Sequence, residues 1–465
     1  MVWPAPHSMK LGGASLELAT GFRIVAGDDQ VCDPIDKEDP STLSGCILLD
    51  AVRRYNAIAF GGKNATGNST RSPPAWNQLK EVRVMLSDDS AALGLETCEN
   101  YTIKIKAGDP EAEPWEPASK ATATIASCTV FGGMHGLETF VQLLRGAGSK
   151  WTVPEVEIAD GPRFHFRGLL IDSSRHYLPL PVLKATVDAL SYNKMNVLHW
   201  HIVDGDSFPF ESKTFPSLTK YGAYSKSHVY SHAEIKELVT YALYRGVRVM
   251  PEFDTPGHTF PSWCNGAATD KSYPQICTAC QNDHQGDSGW GPLRADLNST
   301  YEFLESLFAE IAGVFPEKYM HLGGDEVSFD CWNQNKAVRD FMNKHSFTGA
   351  DLENYYENKL LDIVGGPKVG KSYMVWQEIF NNGVKAKMDT VIDVCKYAYS
   401  ASWCEHNPVI CTCREGFRPQ HYGSGNKGRL SCLSFWWLVS RLAQNNSWPF
   451  RWMGLLFTGA NRFRR

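Results

Sequence analysis

Between residues 167 and 394 the chain alternates short apolar runs with helix-length segments, and no other feature of the sequence constrains the fold as tightly. The runs are Arg167 to Asp172, Asn196 to Val203, Val247 to Met250, Tyr319 to Leu322, Tyr373 to Trp376 and Asp389 to Val394. Pro181 to Asn193 has helical spacing. Ser231-His-Ala-Glu234 is a capping box that opens a helix running to Arg245, with Gly246 to end it. Ser299-Thr-Tyr-Glu302 is expected to cap a further helix to Phe315. Repeated βα units predict a parallel sheet with helices outside. An open doubly wound sheet and a (β/α)8 TIM barrel both satisfy that pattern. Polar residues follow every strand and no glycine phosphate loop is present, which favours the barrel. Only about six units are legible in residues 161–394, so the barrel reads as incomplete at its C-terminal end.

Residues 1–160 have a different texture. Glu81 to Leu86 and Asn100 to Ile105 alternate as half-buried strands, and Gly136 to Leu144 has helical spacing. No paired acids, histidine cluster or phosphate loop occurs there, so a smaller α+β supporting domain is expected. The net charge of −5 conceals a third region. Residues 1–394 hold 36 basic against 49 acidic side chains, whereas residues 395–465 hold 10 against 2 and five of the 14 tryptophans. An acidic body argues against nucleic acid as the partner. No apolar run is long enough to span a membrane.

In a barrel, the groups at the C-terminal strand ends converge on one mouth. The first strand would deliver Asp172 and then Arg175, the second His199, His201 and Asp204, and the third Glu252, Asp254 and His258. The fourth leads into Gly323-Gly-Asp-Glu326, and the fifth delivers Trp376 and Glu378. Adjacent residues of a regular strand face opposite ways, so Asp325 and Glu326 can share a cavity only where the strand ends. Two carboxylates there can divide the work of an acid and an ionised stabiliser of positive charge. A solvated acidic loop and a structural ring of salt bridges remain open on these residues alone. A metal held by His199, His201 and His258 is disfavoured, because Trp200 between the histidines and the nearby Arg175 suit a sugar pocket better.

Thirteen cysteines and five glycosylation sequons, at Asn64, Asn68, Asn100, Asn298 and Asn445, favour an oxidising secretory route. Met1 leads straight into Val2-Trp3-Pro4, so the leader such a route needs is expected to have been removed or lost.

The motifs Arg167-Gly-Leu-Leu-Ile-Asp-Ser-Ser-Arg-His-Tyr-Leu178, His199-Trp-His-Ile-Val-Asp204, Glu252-Phe-Asp-Thr-Pro-Gly-His258, His321-Leu-Gly-Gly-Asp-Glu326 and Val375-Trp-Gln-Glu378 stand in order along some two hundred residues. They resemble the family 20 glycoside hydrolases, the β-N-acetylhexosaminidases, in their eukaryotic lysosomal or secreted branch. Trp3-Pro4 and Gly136-Leu-Glu-Thr-Phe140 resemble that family's N-terminal α+β domain. The resemblance implies a retaining, substrate-assisted hydrolysis without cofactor or metal, in which the sugar's own 2-acetamido oxygen attacks. Glu326 would be the general acid and then base, and Asp325 would orient the acetamido group and stabilise the oxazolinium. Arg175 would hold sugar hydroxyls, Asp204 and His258 would form a chain to Glu326, and Trp376 would wall the acetamido methyl, although core packing is the commoner fate of a tryptophan.

The resemblance also implies a disulfide between Cys280 and Cys331; Cys46–Cys98 and Cys264–Cys277 are further expected pairs. Substrates would be oligosaccharides, glycoproteins or glycolipids ending in N-acetylhexosamine, and the chain could form a homodimer as relatives do. Two departures stand out. Gly205 sits where the family has a second acid after Asp204, and Cys395 where it has Trp. Past Val394 neither the family's Trp-Tyr strand nor its Gly-Gly-Glu-x-x-x-Trp-Gly-Glu strand is present. An altered end, by frameshift, retained intron or alternative terminus, is the expectation for residues 395–465. The competing function is a catalytically weak relative that binds glycans or a protein partner. A chitinase is disfavoured, since the Asp-x-x-Asp-x-Asp-x-Glu motif is absent.

Overall fold

A computed structural model describes residues 2–26, 32, 42–61, 75–113, 115–147, 150–267, 276–280 and 290–394. Met1–Ile392 forms one compact unit. The expectations for residues 395–465 and for Asn64, Asn68 and Asn445 lie outside the described residues.

The first sheet contains β1 (Ser8–Ala26), β2 (Gln78–Leu86), β3 (Tyr101–Lys106), β4 (Thr122–Ser127), β5 (Arg145–Ala147) and β6 (Lys150–Asp160). Its strand order is β1-β2-β4-β3-β6-β5, and the long β1 pairs with β6 as well. Two helices, α1 (Leu43–Phe60) and α2 (Val130–Leu143), share its core, where Ile47, Leu48, Tyr55, Phe131 and Phe140 meet Val84, Ile103 and Ile125. The helix expected from Gly136 thus begins six residues earlier, at Val130.

The second sheet contains β7 (Gly168–Asp172), β8 (Val197–Val203), β9 (Arg248–Phe253), β12 (Tyr319–His321), β13 (Ser372–Trp376) and β14 (Val391–Asp393), with the short hairpin β10 (Cys277–Ala279) and β11 (Trp290–Leu293) inserted after β9. The intervening helices are α3 (Leu180–Tyr192), α4 (Pro216–Gly222), α5 (His232–Leu243), α6 (Ser262–Ala267), α7 (Asn298–Val314), α8 (Phe329–Gln334), α9 (Lys336–His345), α10 (Gly349–Val364) and α11 (Gln377–Asn381). Apart from the inserted β10–β11 hairpin, the order β14-β13-β12-β9-β8-β7 follows the chain with no reversal, and the registered neighbours run parallel. A doubly wound sheet would reverse direction at a switch point. This one is six consecutive strands of a (β/α)8 barrel. Every residue of β8 is buried, as in a parallel strand covered on both faces. Among the described residues no strand pairs with the outer edge of β7, where Leu170 is 39% exposed.

The capping box of Ser231 and Glu234 forms as the sequence indicates. The one expected at Ser299 does not. The helix α7 already begins at Asn298, and the Thr300 hydroxyl turns back to donate to the Arg294 carbonyl at 2.8 Å.

Among the described residues there are four disulfides: Cys32–Cys46, Cys98–Cys128, Cys264–Cys277 and Cys280–Cys331. The expected Cys46–Cys98 bond is therefore corrected. Cys98 precedes β3 and Cys128 follows its antiparallel neighbour β4, so the strand ladder brings those two together. Cys46 lies in the first turn of α1, with its Cα 4.6 Å from that of Cys32.

Candidate active site

Strand register assembles the floor of the barrel mouth. Asp172 lies opposite His201, His201 opposite Glu252, Glu252 opposite His321, and His321 opposite Met374. One belt of ionisable side chains thus crosses four strands near their C-terminal ends. His199 and His201, two apart on β8, face the same side. Both reach Glu252 Oε2 at 2.8 Å, and the Trp376 indole N–H donates to Glu252 Oε1 at 2.8 Å. Glu252 has no solvent exposure. Burial would raise its carboxyl, but His201, His321 and His199 outweigh that and hold it well below the usual range. Burial pushes the His199 imidazolium down to about 4.

The loop after β12 then carries the acid pair over this floor. Gly323 (φ 72°) and Gly324 (φ 99°) take left-handed conformations. A side chain at 323 would also strike Asp254 Oδ1 at 1.8 Å, so glycine is required there on two counts. Asp254 accepts the Gly324 N–H at 2.8 Å, and the Trp376 N–H donates to the Gly323 carbonyl at 2.9 Å. Burial and the charge of Asp325 raise the Asp254 carboxyl well above its ordinary range. Glu326 is left-handed too, at φ 54°, and its N–H donates to Glu378 Oε1 at 3.1 Å.

These turns bring Asp325 and Glu326 to the same imidazole. His258 Nε2 lies 3.7 Å from Asp325 Oδ1 and 3.5 Å from Glu326 Oε2. The other ring nitrogen lies 3.3 Å from Asp204 Oδ1. Burial opposes a charge on His258, yet Asp254, Asp204 and Asp325 together raise its imidazolium to about 10. Asp204 also approaches His201 Nε2 at 2.7 Å and Arg175 at 2.9 Å. Burial would raise its carboxyl; the hydrogen bonds from His201 and His258 prevail and lower it. The Asp325 and Glu326 side chains remain 26% and 49% exposed, so the pair opens to solvent while the network behind it is dry. Asp325 Oδ1 itself is buried and has no hydrogen-bond partner among the described residues, its nearest charged neighbour being His258 Nε2 at 3.7 Å.

All six residues singled out in the sequence thus belong to one connected cluster: Arg175, Asp204, His258, Asp325 and Glu326 through direct contacts, and Trp376 through Glu252 and His201. Arg175 is held by three carboxylates, Asp172 at 3.0 Å, Asp204 at 2.9 Å and Asp206 at 3.3 Å. Asp206 was not anticipated. A side chain at Gly205 would meet the Phe260 carbonyl at 2.4 Å, and the acid facing Arg175 comes one residue later. Also unforeseen are Glu353 and Glu357, buried on α10 behind the loop. Their i, i+4 spacing on the apolar face of that helix was the available signal.

Among the described residues two groups have metal-like geometry, His199–Glu252–His321 and Asp204–Asp254–His258, with ligand atoms within 4.8 Å of one another. Neither is the His199–His201–His258 set that the sequence raised and disfavoured. Asp204 and His258 are already engaged with each other and with cationic neighbours, and Glu252 already accepts from the Trp376 indole and lies 2.8 Å from two imidazoles. The donor sets fit a hydrogen-bonded network better than an ion.

Comparison with known proteins bears on this geometry. Residues 164–410 match the model of the glycosyl hydrolase family 20 catalytic domain, and residues 2–143 match a β-acetyl hexosaminidase-like domain. The β-hexosaminidase α subunit of Rattus norvegicus is 39% identical over 411 residues, which cover 87% of this chain and 71% of that protein. The β subunit of Homo sapiens is 38% identical over 404 residues, covering 85% of this chain and 66% of that one. The solved structure of a Flavobacterium johnsoniae chitobiase superposes with a TM-score of 0.69 at 26% identity, over 89% of this chain and 59% of that chain. The chain therefore spans about two thirds of the length of these relatives.

Proposed function

The chain belongs to glycosyl hydrolase family 20, and from that premise we propose that it is an exo-acting β-N-acetylhexosaminidase. It would release terminal non-reducing N-acetylglucosamine or N-acetylgalactosamine with retention, the substrate's own acetamido oxygen serving as nucleophile. The observation that carries this reading is the adjacent pair Asp325 and Glu326, both within 3.7 Å of one imidazole nitrogen at the barrel mouth.

Glu326, the more exposed of the two, protonates the leaving oxygen and then activates water. Asp325, whose carboxylate is partly exposed at the mouth, accepts the acetamido N–H and faces the positive oxazolinium as it forms. No enzyme carboxylate bonds to the sugar. The His258 imidazolium faces Glu326 at 3.5 Å and is fixed from behind by Asp204. Arg175, pinned by three acids, presents its remaining donor capacity to sugar hydroxyls. Trp376, held edge-on by Glu252, supplies an apolar wall for the acetamido methyl.

The substrates we propose are oligosaccharides, glycoproteins and glycolipids with such a terminal sugar. A secretory or lysosomal site of action is supported by the four disulfides and by the exposed sequons Asn100 and Asn298. No helix among the described residues is long and apolar enough to cross a membrane. The relatives are named as subunits, and a homodimer is the matching proposal here.

The test is turnover of 4-nitrophenyl N-acetyl-β-glucosaminide by the purified full chain, with Glu326→Gln as the control and NMR of the first-formed anomer. Turnover above the control with the β anomer formed first is the expected result. An α anomer formed first would remove the retaining mechanism. A signal no higher than the control would leave a sugar-binding chain without hydrolysis.

A further inference from the structure

We propose that His201 is a buried imidazolium that bridges Glu252 and Asp204 and thereby acts as a positioning residue, fixing Asp204 against His258 and Arg175. The inference rests on the preceding reading of Asp204 and His258 as the support of Glu326.

His201 is 4% exposed, with Nδ1 2.8 Å from Glu252 Oε2 and Nε2 2.7 Å from Asp204 Oδ2. A neutral imidazole has one N–H and cannot donate at both ends. Either a carboxyl carries the extra proton or the ring does. Each carboxylate is independently supplied with donors. Glu252 takes the Trp376 indole N–H and faces His199 and His321; Asp204 takes the Gly205 N–H at 2.5 Å and faces Arg175 and His258. Anionic oxygens so surrounded keep their charge, and the second proton falls to the ring. Burial works against that charge, but Glu252 and Asp204 overcome it and hold the imidazolium up to about 10.

Other ionisable groups around this bridge are Asp172, opposite His201 in the register, and Asp254 and Asp325, which face His258. The result is a chain from barrel centre to mouth: Glu252, His201, Asp204, His258, Glu326. His201 touches no substrate atom in this scheme. Its charge adds to those of Arg175 and His258 in holding Asp204 ionised, and its N–H fixes the carboxylate that orients both the imidazole behind Glu326 and the guanidinium that grips the sugar.

The first measurement is long-range 1H–15N NMR of histidine-labelled full chain between pH 5 and 9. The expected result is a His201 ring with both nitrogens protonated across that range; a neutral tautomer at pH 7 would overturn the proposal. The second compares His201→Gln with the unaltered chain in the pH dependence of kcat/KM. Without the imidazolium, Asp204 gains its proton at higher pH, so the acid limb should move up by about one unit, a tenfold loss on that limb, with the alkaline limb unmoved. An unshifted acid limb would remove the positioning role. If the unaltered chain shows no turnover, the hydrolase reading fails by itself. The acid limb is then read from calorimetric binding of an N-acetylglucosamine thiazoline, because Arg175 depends on Asp204 in binding as well. Should His201→Gln fail to fold, the NMR result still decides the charge state, and His201→Lys, which keeps a cation, should recover fold and acid limb together.

Discussion

The backbone N–H of Glu326 donates to the side chain of Glu378 at 3.1 Å, tying the loop after β12 to the first turn after β13. Glu326 sits at φ 54°, a conformation unfavourable for a side chain of its size, and this bond is one of the contacts that hold it there. Replacing Glu378 by Ala frees the loop, and kcat is expected to fall by about tenfold to a hundredfold with a smaller change in KM. Glu378→Gln keeps a carbonyl acceptor and should retain most activity. Steady-state kinetics on the two variants check this; equal losses would show that the charge matters rather than the bond.

Arg175 meets Asp172, Asp204 and Asp206 with three different guanidinium nitrogens. An ammonium is a point charge and cannot reproduce that fork. Arg175→Lys is therefore expected to raise KM by about tenfold or more while kcat changes less, since the fork acts on binding. A KM within about twofold of the unaltered chain would mean that Arg175 serves the network and not the sugar.

Glu353 and Glu357 give stability an unusual pH dependence. Burial, with the charge of Glu378 added, raises the Glu353 carboxyl to about 8; burial and Glu353 raise Glu357 as well. In the unfolded chain such a group ionises near about pH 4.3. Between about pH 4.3 and 8 the folded chain therefore binds the extra proton. Stability is greatest below that window and falls as pH rises through it, by about 1.4 kcal/mol per pH unit for Glu353, with Glu357 acting in the same direction. Glu353→Gln should flatten this slope and stabilise the chain more at pH 7 than at pH 5. Urea unfolding midpoints at the two pH values measure it, and an unchanged slope would refute the assignment.

Cys331 lies in α8, five residues after Glu326, and its bond to Cys280 closes a span of 51 residues. Replacing both by Ser removes a constraint on the unfolded chain and a brace on the loop, for an expected loss of about 2 to 4 kcal/mol. Activity at low temperature should survive better than thermal tolerance. Calorimetry against residual activity after heating separates the two effects.

Much of the site was readable because a barrel turns linear order into a ring. Once six strands are marked, the residues after each must converge, and so Asp172, Asp204, His258, Asp325, Glu326 and Trp376 could be grouped before any coordinate was known. The strand limits needed corrections of one to three residues, mostly where a run such as Arg167 or Leu322 continues past its ladder pairing. The sequence could not place Asp206, which depends on the turn at Gly205 packing against the Phe260 carbonyl. Nor could it pair Cys98 with Cys128, which follows from two strands lying antiparallel, or stop Ser299 from being read as a cap when α7 had already begun.

By itself the order of residues determined the alternation of strand and helix, the identity of the acid pair and the glycines that let it turn, because periodicity, side-chain type and left-handed conformations are local properties. Which groups are charged was decided only in three dimensions. His199 and His201 are two residues apart on one strand, yet burial drives one imidazolium down to about 4 while two carboxylates hold the other up to about 10. That difference depends on register, on depth from solvent and on partners from β9 and the loop after β8, none of which is encoded at the histidines themselves.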